Sequence, residues 1–166
     1  ISKKQIIEDS FFKKTILENL LNEIIDNFKE TSSKEISLVI KKDKNKVEFK
    51  RTPELVYGLR NFIGNAVKFS KSNVEILINS NQEYIEVSIN DDGPGFPDDV
   101  VEKLGEPYIK SKSMLVKSNS GTGLGTFLGK TLLEREMANL SFSNKSNLGG
   151  ASVSINWRVE KKKSNV

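Results

Sequence analysis

The stretch that decides the fold is Ile85-Glu86-Val87-Ser88-Ile89-Asn90-Asp91-Asp92-Gly93-Pro94-Gly95-Phe96. Apolar Ile85, Val87 and Ile89 alternate with polar residues, which predicts a strand with one buried face. Asp91 continues the same parity, so its carboxylate should point inward with the core side chains. The strand therefore ends on a charged group directed toward the interior of the molecule.

A carboxylate buried without a partner is costly, so Asp91 needs a hydrogen-bond donor. The exocyclic amine of a nucleobase would supply one. Gly93 and Gly95 would let the backbone approach the ring closely, whereas Asp92 has the opposite parity and should point outward. A plain Asp-Gly/Pro-Gly turn is the alternative interpretation of the same residues.

A helix upstream of this strand is predicted to begin at Thr52-Pro53, with proline at its first position, and to run to about Ser70. Its apolar face is formed by Leu55, Leu59, Phe62, Ile63 and Ala66. Asn61, Asn65 and Lys68 fall within about 60° of one another on the opposite face. Asparagine is a poor helix former, and its amide oxygen can ligate Mg²⁺. A solvated polar face remains the simpler alternative.

Downstream, the glycine-rich motif Gly121-Thr122-Gly123-Leu124-Gly125-Thr126-Phe127 opens a third helix, predicted from about Leu124 to Met137. Exposed amides at a helix start favour binding of an anion such as phosphate. The motif lacks the Gly-Lys-Ser/Thr ending of a P-loop, and no strand leads directly into it as in a dinucleotide fingerprint. A long loop rich in Gly, Pro, Ser and Lys, residues 92–122, precedes the helix, and such loops are usually functional.

The predicted order of elements is helix, two strands, helix, two strands, long loop, helix and a final hairpin. This order predicts a two-layer α/β sandwich (α+β), in which three helices cover one face of a mixed sheet. Thr15-Ile16-Leu17-Glu18 has the pattern of a capping box at the start of the first helix. Residues 1–14 are predicted to hold the end of an upstream linker or dimerisation region and a short strand around Phe11-Phe12. Residues 15–160 form the domain, and residues 161–166 form a basic tail.

Composition excludes several kinds of chemistry. The 166 residues contain no Cys and no His, so thiol nucleophiles, Ser-His-Asp triads and Cys or His metal ligands are excluded. A metal must then be bound by oxygen, as Mg²⁺ is. The formal charge of +4 comes from scattered lysines rather than from a clustered basic face, so nucleic acid is not an expected partner. The chain begins Ile1-Ser2 without an initiator Met, so we expect it to be a piece of a longer protein.

Four motifs resemble those of the superfamily that contains histidine kinases and the gyrase, Hsp90 and MutL ATPases. Residues 61–68 resemble its N box, residues 91–95 its G1 box and residues 121–125 its G2 box, and Gly105-Glu106-Pro107-Tyr108 resembles its F box. Order and spacing agree from about residue 11 to residue 159. The resemblance implies the Bergerat ATP-binding fold, with the long loop as the ATP lid.

The resemblance also implies roles for individual residues. Asp91 would bind the adenine amine, Asn65 would ligate Mg²⁺, and Asn61 would lie beside the γ-phosphate. Lys68 would contact ribose or phosphate, so that Asn61 and Lys68 are the catalytic candidates. The other implied ATP-binding residues are Gly93 and Gly95 at the adenine pocket, Tyr108, Lys110 and Lys112 in the lid, and Gly121, Thr122, Gly123, Leu124 and Gly125 at the phosphates.

One position separates the branches of this superfamily. The hydrolases resemble one another in having a Glu, which activates water, four residues before the metal-binding Asn. Here that residue is Asn61, which cannot act as a base, so slow hydrolysis and transfer to another nucleophile are expected. Residues 105–108, 130–135 and 149–151 resemble the redox-sensing kinases of the RegB/PrrB type, although Thr126 departs from the usual Gly-Leu-Gly-Leu pattern.

The resemblance thus implies the catalytic domain of a bacterial sensor histidine kinase, with ATP and Mg²⁺ as cofactors. The expected partners are a His-bearing dimerisation domain of the same protein and a cognate response regulator. We expect a cytoplasmic, monomeric domain from a homodimeric parent anchored in the inner membrane. A Ser/Thr kinase of the anti-sigma-factor type and a degenerate, non-catalytic interaction module remain open alternatives.

Overall fold

The computed structural model describes residues 13–41, 47–104 and 122–159. Its helices are α1 (Leu17–Lys29), α2 (Pro53–Phe69), α3 (Asp98–Leu104) and α4 (Thr122–Arg135). Its strands are β1 (Lys14–Ile16), β2 (Glu35–Lys41), β3 (Glu48–Lys50), β4 (Asn73–Ser80), β5 (Tyr84–Asp91), β6 (Asn139–Ser143) and β7 (Ser152–Arg158). None of the described helices combines the length and the apolar character needed to cross a membrane.

A mixed sheet of five strands in the order β2-β4-β5-β7-β6 forms one layer of the molecule. Strands β2 and β4 are parallel, and the other neighbouring strands are antiparallel. The register aligns Ile76, Ile89 and Val153 across the three central strands. All three are buried, so this row faces the helical layer. The predicted sandwich of a mixed sheet with helices on one face is confirmed.

The core lies between the sheet and helices α1, α2 and α4. Each helix presents an apolar stripe because its large residues recur at helical spacing, and each central strand contributes every second residue. Among the largest fully buried side chains are Leu20, Leu21, Ile24, Leu59, Phe62, Ile63, Ile76, Ile89 and Leu133. The single tryptophan, Trp157 at the end of β7, is also buried and packs edge-on against Phe49 with ring centroids 5.0 Å apart.

Helix α2 is held at both ends by side chains. Thr52 is its N-cap and accepts a hydrogen bond from the Leu55 N–H at 3.2 Å, with Pro53 at the first helical position as predicted. At the other end the Lys34 ammonium donates to the Lys68 and Ser70 carbonyls, at 3.2 and 2.7 Å, and also to the Val67 carbonyl. These contacts place positive charge where the helix dipole is negative.

The predicted capping box at Thr15 is wrong. Thr15 belongs to β1 and pairs with Phe49, and Ile16 is the N-cap of α1 without any side-chain cap. The helix start is satisfied instead by the Val47 carbonyl, which accepts from the Leu17 N–H at 2.9 Å. Tertiary strand pairing therefore overrides the local capping pattern.

The long predicted loop also differs from expectation, because its first part contains the short helix α3. Leu104 at the end of α3 is fully buried and packs with Phe127 of α4. Residues 105–121 lie outside the described residues, as does the strand predicted around Phe11-Phe12. The proposed domain limits at residues 14 and 160 stay predictions.

Candidate functional site

A cavity of about 240 Å³ opens where β5 ends beside helices α2 and α4. Its wall comes mainly from the C-terminal half of α2, from β5 with the segment that follows it, and from the start of β7, and α4 contributes Thr126. It is lined by Phe62, Asn65, Ala66, Phe69, Ile89, Asp91, Pro94, Gly95, Phe96, Pro97, Val100, Thr126, Ala151 and Val153. Most of these side chains are apolar, and Asp91 supplies the one carboxylate among them.

Asp91 is buried in the wall of this cavity, with 6% of its surface exposed. Its Oδ1 accepts hydrogen bonds from the Gly93 N–H at 2.9 Å and from the Ala151 N–H at 3.1 Å. In the part of the chain that the structure describes, no group donates to its Oδ2. The backbone thus fixes one oxygen of Asp91 and leaves the other as an acceptor beside an apolar cavity. The predicted inward direction of this side chain is confirmed.

The electrostatic state of Asp91 follows from this environment. Burial raises the pKa of its carboxyl above the usual range, although the hydrogen bonds from Gly93 and Ala151 act in the opposite direction. The nearby negative charge of Asp92 adds to the increase. The carboxylate is therefore poorly solvated, and a donor arriving in the cavity would be held strongly.

Asp92 serves the fold rather than the cavity. Its carboxylate accepts from the backbone N–H groups of Lys71, Ser72 and Asn73, at 2.8 to 3.2 Å, and from the Ser72 hydroxyl at 3.0 Å. Burial alone would raise the pKa of Asp92, but these hydrogen bonds outweigh it and hold the pKa well below its usual range. The sequence predicted only that Asp92 points outward. This role could not be predicted, because the donors are residues 71–73, between α2 and the start of β4.

Gly93 and Gly95, the two glycines after β5, are needed for different structural reasons. A Cβ atom at Gly93 would lie 2.3 Å from the Phe69 carbonyl oxygen, so Gly93 lets β5 approach the end of α2. The sequence predicted instead that Gly93 lets the backbone approach a nucleobase ring, but Gly93 is not among the residues that line the cavity. Gly95 does line the cavity, and its φ of +83° is a conformation that favours glycine.

Asn144, in the turn after β6, holds the segment that leaves Gly95. Its Oδ1 accepts from the Phe96 N–H at 2.7 Å, and its Nδ2 donates to the Phe96 carbonyl at 2.8 Å. The Asn144 side chain thus makes the two hydrogen bonds that the backbone of a paired residue makes in an antiparallel sheet. Neither Asn144 nor Ser146 was predicted from the sequence, and the Ser146 hydroxyl donates to the Asp91 carbonyl at 2.9 Å. No local pattern marks either residue.

Helix α4 packs against the part of the polar face of α2 that carries Asn61 and Asn65, so the alternative of a solvated face does not hold for these two residues. A Cβ atom at Gly129 would lie 3.2 Å from the Cβ of Asn61, and one at Gly125 would lie 3.8 Å from Asn61 Oδ1. Asn65 Nδ2 donates to Thr126 Oγ1 at 3.3 Å. Both asparagines therefore lie along the seam between α2 and the start of α4, and Asn65 faces the cavity.

The remaining predicted residues fall into two groups. Lys68 is exposed, and its ammonium lies 5.2 Å from the centre of the Phe69 ring, next to the cavity wall. Tyr108, Lys110, Lys112 and Gly121 lie outside the described residues. Thr122, Gly123 and Leu124 form the first turn of α4, so the glycine-rich motif opens a helix as predicted, directly beside the asparagines of α2.

A family model described as histidine kinase-, DNA gyrase B- and HSP90-like ATPase matches residues 51–161. The chain belongs to this family. The match spans α2, the cavity-forming segment after β5 and the glycine-rich start of α4, and it confirms the superfamily inferred from the motifs. Membership supports ATP as the small molecule that the cavity serves.

Individual relatives agree with this assignment. The sensor histidine kinase RegB of Cereibacter sphaeroides is 36% identical over 126 residues, which cover 67% of this chain and 27% of RegB. The chain thus spans about a quarter of the length of that relative. The catalytic domain of the histidine kinase ThkA has the same fold, with a TM-score of 0.68 and 22% identity over 89% of this chain and 97% of that domain. The ATP-binding domain of PrrB from Mycobacterium tuberculosis gives a TM-score of 0.65 at 21% identity, covering 90% and 98%.

Proposed function

We propose that this chain is the ATP-binding catalytic domain of a two-component sensor histidine kinase. In this proposal it binds ATP with Mg²⁺ and transfers the γ-phosphoryl group to a histidine on a separate dimerisation domain of the same protein. A response regulator would then receive the phosphoryl group. The observation that carries the proposal is the buried Asp91, whose Oδ2 is an acceptor at an apolar cavity of a family that uses ATP.

Adenine recognition follows from the chemistry of that cavity. The exocyclic amine of adenine would donate to Asp91 Oδ2, while the ring packs among Phe69, Pro94 and Val153. The hydrogen bond would be worth more here than in water, since the site is largely apolar and the carboxylate is poorly solvated. Guanine and the pyrimidine uracil present a carbonyl instead of an amine at the corresponding position, so the site should prefer adenine.

Asn65 and the start of α4 suit a Mg²⁺-bound triphosphate. No cluster of three or more acidic, His or Cys side chains occurs in the ranges the structure covers, so a metal there would depend on few protein ligands. Mg²⁺ is usually bound in this way, by one or two protein oxygens together with substrate phosphates and water. Asn65 Oδ1 could be such a ligand, because the Asn65 side chain uses its nitrogen, Nδ2, in the hydrogen bond to Thr126. The Mg²⁺ would draw charge from the phosphates.

The same site lacks a base that could activate water. Asn61 occupies the position where the resemblance to the hydrolases would require Glu, and a carboxamide cannot accept a proton from water at neutral pH. A histidine nitrogen brings its own lone pair. It would form the new phosphorus–nitrogen bond while the bond from the γ-phosphorus to the bridging oxygen breaks and ADP leaves. Catalysis then depends on positioning and on charge stabilisation by Asn61, Lys68 and the amides of α4.

Phosphotransfer is the direct test. The 166-residue chain would be mixed with γ-labelled ATP, Mg²⁺ and the separately produced His-bearing dimerisation domain. We expect label on that histidine, none when the histidine is replaced by glutamine, and much less at the same ATP concentration when the chain carries Asp91→Asn. Label on a Ser or Thr instead would indicate the anti-sigma-factor type of kinase. The complete absence of ADP binding in calorimetry would indicate a non-catalytic module and contradict the proposal.

A further inference from the structure

Thr126 is the residue of the glycine-rich motif that differs from the usual Gly-Leu-Gly-Leu pattern, and the structure places it beside Asn65, the proposed Mg²⁺ ligand. Its side chain is buried, with 3% exposed, and it lines the cavity. Its Oγ1 accepts a hydrogen bond from Asn65 Nδ2 at 3.3 Å, across 61 residues of sequence. Leucine at this position would offer Asn65 no acceptor.

A carboxamide can be turned either way, and the two orientations have opposite consequences for a metal. With the oxygen toward the phosphates Asn65 can ligate Mg²⁺, whereas with the nitrogen there it would present two N–H donors to a cation. The shape of the side chain does not distinguish them, so a hydrogen-bond partner must. Thr126 is that partner in this chain.

A threonine hydroxyl can in principle donate as well as accept, so its own proton must be directed elsewhere. In helices, threonine hydroxyls commonly donate to the carbonyl one turn earlier. Thr131 of the same helix does so, donating to the Phe127 carbonyl at 3.0 Å. A hydroxyl used in this way presents only its oxygen to Asn65 and therefore selects the amide nitrogen.

We propose that Thr126 is a positioning residue that holds the Asn65 carboxamide with its oxygen toward the nucleotide-bound Mg²⁺. The inference rests on the proposed function, since it assumes a Mg²⁺–nucleotide complex in the cavity. According to this proposal, metal coordination in this chain depends on Thr126, which itself binds neither the metal nor the phosphates. Such outer partners commonly tune metal affinity by fixing the orientation of a ligand.

The test compares the dissociation constant of ADP with Mg²⁺ and with EDTA, measured by calorimetry on the 166-residue chain. Wild type should bind more tightly with Mg²⁺. Thr126→Val, which keeps the shape and removes the hydroxyl, should reduce that Mg²⁺ enhancement by about 3- to 10-fold, so that binding weakens more with Mg²⁺ than in EDTA. Thr126→Ser, which keeps the hydroxyl, should restore the enhancement.

A double-mutant cycle with Asn65→Ala separates positioning from packing. If Thr126 acts through Asn65, adding Thr126→Val to Asn65→Ala should cause no further loss of Mg²⁺ enhancement. The side-chain amide NMR signals of Asn65 should also change in Thr126→Val before any ligand is added, which is a readout independent of activity. Intact folding of each variant would be checked by the fluorescence of Trp157.

Each other outcome is decisive. Equal losses in Mg²⁺ and in EDTA, or an unchanged Mg²⁺ enhancement in Thr126→Val, would overturn the positioning role while leaving ATP binding and phosphotransfer intact. A wild-type chain that binds ADP without any Mg²⁺ enhancement would overturn the metal role of Asn65 and the inference together. A wild-type chain that binds no ADP would contradict the proposed function itself.

Discussion

At the scale of single residues, the two carboxylates that end β5 are used in opposite ways. Asp91 has one oxygen held by the backbone and the other at the cavity, whereas Asp92 gives its hydrogen-bonding capacity to the turn that joins α2 to β4. Burial raises the pKa of Asp91, while N–H donors lower the pKa of Asp92. Adjacent residues of the same type thus divide into one that presents an oxygen to the cavity and one that stabilises the fold.

The substitution Asp91→Asn should weaken nucleotide binding strongly without harming the fold. The amide oxygen can still accept from Gly93 and Ala151, but an NH₂ group replaces Oδ2 and meets the adenine amine donor to donor. We expect ADP affinity to fall about 10- to 100-fold, since a hydrogen bond to a charged group is lost. Calorimetry with ADP measures the loss.

The matched control is Asp91→Ala, which removes both oxygens. It leaves the Gly93 and Ala151 N–H groups unpaired in a buried place, so the free energy of unfolding in urea should fall by about 2 kcal/mol. Asp91→Asn should unfold at the wild-type urea concentration or slightly above it, because the raised pKa means that the charge is unfavourable there. Equal ADP binding by wild type and Asp91→Asn would remove Asp91 from the site.

Asp92 should make the stability of the domain sensitive to acid. Because its pKa in the folded protein is depressed below the usual value of 3.8, its contribution to stability is present above that pH and is lost as the pH falls further. We expect Asp92→Asn to lower the free energy of unfolding by about 1–3 kcal/mol at pH 7. The difference between wild type and Asp92→Asn should shrink below about pH 4.

Urea unfolding at several pH values, followed by the fluorescence of Trp157, tests this prediction. The raised pKa of Asp91 has the opposite effect on stability, because it favours the folded state at low pH. Wild type and Asp92→Asn both contain Asp91, so its contribution cancels from the difference between them. A difference between wild type and Asp92→Asn that stays constant from pH 7 to pH 3 would show that the charge of Asp92 plays no part.

At the scale of elements, the segment after β5 is shaped by a distant turn. The paired hydrogen bonds between Asn144 and Phe96 fix where the chain goes after Gly95, and this path forms part of the cavity wall. Asn144→Ala should therefore lower ADP affinity about 3- to 10-fold, while the free energy of unfolding changes by about 1 kcal/mol. Fluorescence-detected ADP titration and urea unfolding together would measure both effects.

Asn144→Asp is the control for this element. The carboxylate keeps the acceptor for the Phe96 N–H but loses the donor to the Phe96 carbonyl, so an intermediate loss of ADP affinity is expected. If Asn144→Ala weakens ADP binding no more than Asn144→Asp does, the hydrogen bond that aspartate keeps, from the Phe96 N–H, contributes nothing to the cavity wall.

At the scale of the whole molecule, the site depends on how closely α2 and α4 pack. A Cβ atom at Gly58 would lie 2.6 Å from the Leu133 side chain, whereas among the described residues one at Gly125 would meet only Asn61 Oδ1, at 3.8 Å. The two glycines belong to the same helix pair but lie at different distances from the cavity. Substitutions at Gly58 and Gly125 should therefore distinguish an effect on helix packing from an effect on nucleotide binding.

Gly58→Ala should destabilise the fold by about 1–3 kcal/mol, because an added methyl group overpacks the helix interface. Gly125→Ala should leave stability unchanged or raise it by up to about 1 kcal/mol, since alanine favours the helix. We expect Gly125→Ala instead to weaken ATP binding more than ADP binding, because the methyl group faces the proposed phosphate site. Thermal unfolding and paired titrations measure these effects, and equal effects of the two substitutions on unfolding would contradict this division.

Much of the fold was predictable because its signals are local. The alternation at Ile85, Val87 and Ile89 predicted β5 and the burial of Asp91, and Thr52-Pro53 predicted the start of α2. Such patterns depend on neighbours within one or two turns, so sequence alone determines them. The family motifs added the expected chemistry of the site, since they record which residue types recur at each position.

What the sequence could not determine are contacts between residues far apart in the chain. Asn144 lies 48 residues from Phe96, and Thr126 lies 61 residues from Asn65. The pairing of β1 with β3 likewise displaced the predicted cap of α1. Spacing along the chain predicted that Asn61, Asn65 and Asp91 could serve a nucleotide. Only the tertiary structure decided which oxygen of Asp91 faces the cavity and which end of the Asn65 amide faces Thr126, because hydrogen bonds from distant elements select among rotamers that local sequence leaves equal.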